Sequence, residues 1–137
     1  MTHWSRNFVG LPWARAGRSR DGVDCYGLPW LVYRDVLGIA LPSYAGETMD
    51  APERLEIADL ISGSRRAPIW RDVTLGSERE FDLAVFRHGG IESHVGLVTA
   101  RGRMLHVVEG QESYVEAFDQ GRWKAKLVGL HRHQVFA

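Results

Sequence analysis

The stretch Gly22-Val23-Asp24-Cys25-Tyr26-Gly27-Leu28 places the only cysteine of the chain between a polar loop and an apolar segment. Residues 14–20, just upstream, are rich in Gly and Arg, and residues 28–37, just downstream, are rich in apolar side chains. This order is typical of a thiol at the start of a helix, where free backbone amides and the helix dipole favour the reactive thiolate. The sequence therefore predicts that Cys25 is a nucleophile and that the other elements support it.

Two helices are predicted in the first half of the chain. Asp24 is a suitable N-cap for a helix over residues 24–37, and Gly38 is a suitable residue to end it. Four apolar residues fall at helical spacing and predict its buried face: Leu28, Leu31, Val32 and Val36. Pro29 would be the fifth helical residue and has no N–H to donate, which predicts a distorted first turn. Asp50-Ala51-Pro52-Glu53 resembles a capping box and predicts a second helix over residues 51–62.

The pattern changes to short strands from residue 70 onward. Strands are predicted over residues 70–73, 82–86, 93–99, 103–108, 114–118 and 127–135. Ala100-Arg101-Gly102 fits the tight turn of a hairpin, and His88-Gly89-Gly90 fits a loop. Helices followed by hairpin-linked strands indicate one α+β domain over residues 1–137, with N-terminal helices packed on a central antiparallel sheet of five or six strands.

The predicted hairpin supplies two histidines that could act with Cys25. Pairing about Arg101 places residue 94 opposite 108 and residue 106 opposite 96, so a diagonal contact between His94 and His106 on one face is within reach. A cysteine nucleophile needs a base, and the base needs an orienting partner. We therefore expect His94 to be the base and His106 to hold its ring; the alternative is that Cys25 is simply a small core residue.

The other histidines are assigned no chemistry. His88 is predicted to lie in a loop, and His131 and His133 share a face of the last strand that is predicted to meet solvent.

Composition excludes several classes of function. The 17 basic and 17 acidic residues cancel, so there is no general electrostatic basis for binding nucleic acid. One cysteine can form neither an internal disulfide nor a cysteine-rich zinc site, and we expect no cofactor. No apolar run has the length of a membrane span, so no membrane insertion is expected. The N-terminal residues lack the apolar core of a signal peptide, which predicts synthesis in the cytoplasm.

Four segments resemble the NlpC/P60 cysteine peptidases: Asp24–Leu28, Phe81–Phe86, His94–Val98 and Met104–His106. The resemblance implies a papain-like fold and a catalytic triad of Cys25, His94 and His106, in the order that the family uses. It also implies that the substrate is the stem peptide of peptidoglycan, typically cleaved between γ-D-glutamyl and a diamino acid. Two features depart from the family pattern: Tyr26 stands where a small Ser is usual, and Pro29 is unexpected in the first helix.

The resemblance also suggests a biological setting. Residues 8–13, 22–28 and 39–44 make the chain most similar to small stand-alone members encoded with phage tail genes or in gene transfer agents. This similarity implies a virion or phage-like tail particle that acts in the periplasm or cell wall, with other tail or baseplate proteins as partners.

Three residues near Cys25 are predicted to bind substrate. Asp24 is expected either only to cap the helix or also to bind a substrate ammonium group, as in some relatives. Arg18 is expected to meet carboxylates of the stem peptide, although a solvated loop arginine is the simpler interpretation. Tyr26 occupies the position next to the nucleophile, where the departure from Ser would change an inherited substrate contact.

Three other functions fit parts of the same pattern. A tail-tip protein could keep the fold for assembly alone, without hydrolysis. Cys25, His94 and His106 could together bind zinc, although the Asp-Cys helix start suits a nucleophile better. An acyltransferase or amidase could use the same fold, but the related lipid-modifying enzymes have the histidine before the cysteine, which is not the order here.

Overall fold

The structure is a computed structural model that describes residues 3–43, 69–88 and 91–136, with only the backbone described at residues 88 and 91–93. A 3-10 helix, Trp4–Phe8, precedes a two-stranded ribbon of β1 (Arg18–Ser19) and β2 (Gly22–Val23). The helix α1 (Gly27–Val32) follows and continues as a π-helix, Tyr33–Leu37. The predicted second helix, residues 51–62, lies outside the described residues. Within the described residues, no helix has the length and apolar character to cross a membrane.

The second half of the chain forms a six-stranded antiparallel sheet. Its strands are β3 (Trp70–Val73), β4 (Leu83–His88), β5 (Ile91–Ala100), β6 (Arg103–His106), β7 (Tyr114–Ala117) and β8 (Leu127–His133), in the spatial order β3-β8-β4-β5-β6-β7. A short helix, α2 (Gly121–Lys126), and a terminal 3-10 turn, Gln134–Phe136, complete it. The predicted α+β class and antiparallel sheet are confirmed; α2 was not predicted.

The hairpin of β5 and β6 has the predicted register. Leu97 pairs with Leu105 and Val98 with Met104, which is pairing about Arg101. The turn includes Gly102 at φ +74°, a left-handed backbone conformation that glycine adopts without strain. Because side chains alternate along a strand, this register decides which residues of β5 and β6 share a face.

The sheet is covered by apolar side chains on both faces. One cluster joins α1 to the sheet and includes Leu28, Leu31, Val85, Val95 and Leu97. The other cluster lies on the opposite face of the sheet, where the alternate strand residues pack against α2. It includes Ala84, Phe86, Val98, Met104 and Trp123. Successive side chains of β4 and β5 point to opposite faces of the sheet, and both faces are buried. The central part of each strand is therefore almost entirely apolar.

The helix α1 begins three residues later than the sequence predicts. The Asp24 side chain still acts as a cap: its Oδ1 accepts a hydrogen bond from the Gly27 amide at 2.6 Å, and its carbonyl accepts from Leu28 at 3.1 Å. With the start at Gly27, Pro29 lies in the first turn, where a backbone N–H has no partner within the helix. Its position therefore fits the helix.

The second half of the predicted helix widens into π-helical turns, and this changes its buried face. Tyr33 is fully buried, whereas Val36, which the 3.6-residue period placed in the core, is 39% exposed. That part of the prediction was wrong, because the period changes at Tyr33. Gly38 ends the segment in the left-handed conformation, φ +68°, as predicted.

The predictions for three histidines of the sheet were also wrong. His88 is the last residue of β4 and pairs with Ile91, so it lies in a strand. His131 and His133 are buried, since β8 is an interior strand between β3 and β4. His131 Nδ1 lies 3.4 Å from Asp72 Oδ1, and the ring of His133 packs edge-on against Trp70.

These buried histidines predict that the protein loses stability in mild acid. Burial lowers the pKa of His106, His131 and His133 below the ordinary 6.5, and the neighbouring carboxylates of His106 and His131 only partly oppose it. As the pH falls through 6.5, the unfolded chain gains protons at these positions before the folded chain does, so the free energy of unfolding falls. We expect a lower melting temperature at about pH 5.5 than at about pH 7.5. A constant or rising melting temperature on acidification would contradict this.

Candidate active site

Cys25 lies immediately before α1 and is largely buried, with 8% of its surface exposed. It belongs to the apolar cluster that also contains Val95, the residue after His94, and α1 packs against β5. The helix that begins two residues after Cys25 therefore contacts the strand that carries His94. A thiol at the start of a helix is suited to nucleophilic chemistry once a base is within reach.

The loop before Cys25 is tied to the helix start through Asp24. Arg18 Nη1 donates to Asp24 Oδ1 at 2.8 Å and to the Gly17 carbonyl at 2.8 Å. The same Asp24 oxygen accepts from the Gly27 amide, so one carboxylate oxygen links the loop and the helix. Gly27 itself is closely packed: a Cβ there would lie 2.0 Å from the Gly17 carbonyl oxygen. The backbone around Cys25 is thus fixed from both sides.

Asp24 has a second oxygen that the loop does not use. The residue is 1% exposed, and Oδ2 has no hydrogen-bond partner among the described residues. Leaving a buried carboxylate oxygen without a partner is costly, so such an oxygen is uncommon in folded proteins.

Two of the predicted substrate-binding residues make contacts within the protein. The Tyr26 hydroxyl donates to the Pro42 carbonyl at 2.8 Å, and the residue is buried. The Arg18 guanidinium binds Asp24 as described, and its Nε donates to Ser43 Oγ at 3.0 Å. These contacts give both residues a structural role, and their contact with substrate stays a prediction.

The structure brings His94 and His106 together as the register predicts. Both side chains are buried, and His94 Nε2 lies 2.8 Å from His106 Nδ1. This hydrogen bond uses one nitrogen of each ring and leaves Nδ1 as the second nitrogen of His94. A histidine held through one nitrogen presents the other in a defined orientation, as a general base requires.

A β-bulge immediately precedes His94. Phe86 pairs with His94, but Arg87 pairs with Glu92, so Ser93 is an extra residue of β5 at this point. A bulge bends the strand and increases its twist, which changes the direction of the neighbouring side chain. The bulge therefore contributes to the orientation of the His94 ring.

A carboxylate that was not among the predicted site residues completes this cluster. Glu116 Oε2 is the hydrogen-bond partner of His106 Nε2 at 2.6 Å, Tyr114 Oη at 2.5 Å and Trp123 Nε1 at 3.0 Å. The Trp123 ring also stacks on His94, with the ring centroids 4.8 Å apart, and meets His106 edge-on. Trp123 thus covers the pair of histidines and binds the carboxylate behind it.

Burial and charge set the protonation states in the cluster. Burial lowers the pKa of His106, and the hydrogen bond and charge of Glu116 oppose this effect without reversing it. Desolvation raises the pKa of Glu116, but hydrogen bonds from Tyr114, His106 and Trp123 together bring it below its ordinary value. At neutral pH, therefore, Glu116 is a carboxylate and His106 is a neutral imidazole.

The zinc alternative finds no support in this geometry. No group of three or more His, Cys, Asp or Glu side chains in the described part of the chain is arranged to hold a metal ion. Two of the four ring nitrogens of His94 and His106 face each other, and one of the others faces Glu116. The rings are therefore oriented for a hydrogen-bonded chain.

Comparison with known families identifies a match over most of the chain. The sequence profile of the NlpC/P60 family matches residues 10–132, a range that includes Cys25, His94 and His106. The chain belongs to the NlpC/P60 family. Its NlpC/P60 segment therefore runs from just before β1 to the end of β8.

Curated relatives of this NlpC/P60 chain are enzymes of longer length. The gamma-DL-glutamyl hydrolase of Bacillus subtilis is 24% identical over 93% of this chain and 27% of its own length. The murein DD-endopeptidase MepH of Escherichia coli is 28% identical over 90% of this chain and 41% of its own length. The chain thus spans about a quarter of the length of the first relative and about two fifths of the length of the second.

Solved NlpC/P60 structures share the fold. An NlpC/P60 family protein of Bacillus cereus superposes with a TM-score of 0.65 at 21% identity, over 95% of this chain and 38% of its own. The NlpC/p60 domain of the peptidoglycan hydrolase SagA gives 0.59 at 18% identity, over 93% of this chain and 90% of its own. The NlpC/P60 fold predicted from the sequence is confirmed.

Proposed function

We propose that this chain is a cysteine peptidase that hydrolyses peptide bonds in the stem peptides of peptidoglycan. The observation that carries the proposal is the buried, hydrogen-bonded pair His94–His106. The strand of His94, β5, also contacts α1, the helix that follows Cys25. The names of the relatives, a γ-glutamyl hydrolase and a murein endopeptidase, support this substrate class. Within it, we propose the bond between γ-D-glutamyl and a diamino acid.

In the proposed mechanism, the Sγ thiolate of Cys25 attacks the amide carbonyl carbon and forms a tetrahedral intermediate. Nδ1 of His94 takes the thiol proton and returns it to the leaving amine, which departs as the thioester forms. Water, deprotonated by the same nitrogen, then attacks the thioester; the acid product leaves and the proton returns to the thiol. His106 holds the His94 ring throughout. The proposal requires Nδ1 of His94 to reach Sγ of Cys25 in the reacting complex.

Backbone amides at the helix start, including that of Cys25, would stabilise the developing oxyanion. Losing one donor of this kind typically costs about 100- to 1000-fold in rate. The tie between Asp24, Arg18 and Gly27 supports this role because it fixes the backbone on both sides of Cys25.

We propose that Asp24 Oδ2 binds an ammonium group of the stem peptide. The oxygen is buried beside the nucleophile and has no hydrogen-bond partner among the described residues. A charged N–H donor would remove the cost of that missing bond. Tyr26 and Arg18 would then act on substrate indirectly, by holding the loop and Asp24, in addition to any direct contact.

We also propose that the protein acts within a phage-like tail particle, in the periplasm or cell wall, with tail or baseplate proteins as partners. The support is the similarity of residues 8–13, 22–28 and 39–44 to small tail-associated family members.

The experiment is mass spectrometry of purified stem-peptide fragments incubated with the protein. The matched control is the same protein alkylated with iodoacetamide at Cys25, which blocks the only thiol. New cleavage products with the untreated protein and none with the alkylated protein are expected, and the product masses identify the bond. No products from a folded, unmodified protein would refute hydrolysis by the isolated chain and favour an assembly role.

A further inference from the structure

The residues that surround His94 and His106 form a chain of hydrogen bonds across three neighbouring strands. His94 lies on β5, His106 on β6 and Glu116 on β7. Glu116 pairs with Met104 and Tyr114 with His106, so Glu116 reaches His106 by a diagonal contact on the same face. The same kind of diagonal joins His106 to His94. The sheet therefore places the three polar groups in line.

The direction of each hydrogen bond follows from what each atom can donate. An ionised carboxylate only accepts, and Glu116 Oε2 lies within 2.5–3.0 Å of three groups that can donate. His106 must therefore carry its proton on Nε2. Since His106 is a neutral imidazole, its Nδ1 has a lone pair and accepts from His94 Nε2–H. Neutral His94 then has its own lone pair on Nδ1.

We propose that Glu116 is a positioning residue that sets the tautomers of His106 and His94, so that Nδ1 of His94 is the atom that accepts the thiol proton. This role rests on the proposed function, and it adds a fourth member behind the predicted triad. Proton transfer from Cys25 leaves His94 protonated on both nitrogens. Its Nε2–H stays on His94 and donates to His106, and no proton moves to His106 or Glu116. The negative charge of Glu116 stabilises the resulting imidazolium through His106.

Other charged groups face this cluster and act on it. The Arg122 guanidinium lies 5.1 Å and the Lys126 ammonium 5.6 Å from the centre of the Trp123 ring, and the charge of Arg122 opposes protonation of His106. In the described part of the chain, Tyr114 and Trp123 are the other hydrogen-bond partners of Glu116. Of the charged groups that act on the pKa of His106, the carboxylate of Glu116 is the one that favours protonation.

The direct test is nitrogen NMR of the wild-type protein, which distinguishes protonated from unprotonated ring nitrogens. Near neutral pH, both His94 and His106 are expected to carry the proton on Nε2 and none on Nδ1. A proton on Nδ1 of either ring overturns the proposal. This measurement needs no variant and no substrate, so it does not depend on hydrolysis being detected.

The second test compares Glu116→Gln with Tyr114→Phe as a matched control, which removes one hydrogen bond to Oε2 but keeps the charge. The readout is the rate of iodoacetamide alkylation of Cys25 against pH. In Glu116→Gln, the rate near neutral pH is expected to fall about tenfold, the change in thiolate fraction that one pKa unit produces. The rate at high pH, where the thiol ionises without a base, is expected to stay unchanged.

The outcomes separate the two proposals. In Tyr114→Phe the alkylation profile is expected to follow wild type, and in Glu116→Asp part of the loss is expected to be recovered. Identical profiles for wild type and Glu116→Gln overturn the role of Glu116 even if the wild type cleaves stem peptides. A wild-type protein that shows the predicted tautomers and profile but cleaves nothing refutes the proposed function and leaves the role of Glu116 in place.

Discussion

Cys25→Ala is expected to abolish hydrolysis of stem-peptide fragments while the protein stays folded. The chain has one cysteine, so no other thiol can replace it, and alanine offers neither a nucleophile nor a proton to the histidine pair. Losing the nucleophile of a triad typically costs about 10⁴-fold or more in kcat. The measurement is the initial rate of product formation by mass spectrometry, with wild type at the same concentration.

The fold of Cys25→Ala should be nearly unaffected. Cys25 is not a disulfide partner, and the substitution removes a single sulfur atom from the protein. A change in melting temperature of a few degrees at most is expected. Activity retained in this variant would remove Cys25 from the mechanism, whereas lost activity together with a collapsed melt would leave the role of the thiol undecided and call for Cys25→Ser.

Gly27→Ala is expected to destabilise the protein by about 3 kcal/mol or more, although alanine usually stabilises a helix. The added Cβ would lie 2.0 Å from the Gly17 carbonyl oxygen, 2.7 Å from Arg18 Nη1 and 2.9 Å from Asp24 Oδ1. The closest of these atoms belongs to the backbone, so the loop must move as a whole. Displacing it breaks the link between Arg18 and Asp24. Denaturant unfolding gives the change in the free energy of unfolding.

Gly129→Ala is the matched control for this prediction. A Cβ at Gly129 would lie 3.4 Å from the nearest atom, His131 Nε2, which is an ordinary contact. This variant is expected to change the free energy of unfolding by less than about 1 kcal/mol. Equal changes in the free energy of unfolding for the two variants would show that the close packing of Gly27 against the loop does not make this position unusually sensitive to substitution.

The register of the hairpin could be predicted because it depends on local rules. The turn at 100–102 sets the pairing, and the alternation of β5 and β6 sets the faces, so the contact between His94 and His106 followed from the sequence. The start of α1 could not be predicted in the same way. It depends on the Asp24 side chain accepting from Gly27 while Arg18 binds the same oxygen, which is a contact with a separate loop.

Glu116 was missed for a related reason. The alternation of Tyr114 and Glu116 on β7 was visible in the sequence, but placing them beside His106 needs the pairing of β6 with β7. That pairing crosses a connection of seven residues, 107–113, which sets no register by itself. Trp123 comes from α2, a six-residue helix too short to give a clear periodic signal.

The place of β8 in the sheet has a consequence for synthesis. Although β8 follows the other strands of this sheet along the chain, it occupies an interior position between β3 and β4. Before β8 is synthesised, β3 and β4 have no strand between them. The backbone edge of each that pairs with β8 is then unpaired, and such edges promote association between chains. Productive folding of this protein is therefore a late event, and the interval before it is when a nascent chain most needs protection by chaperones.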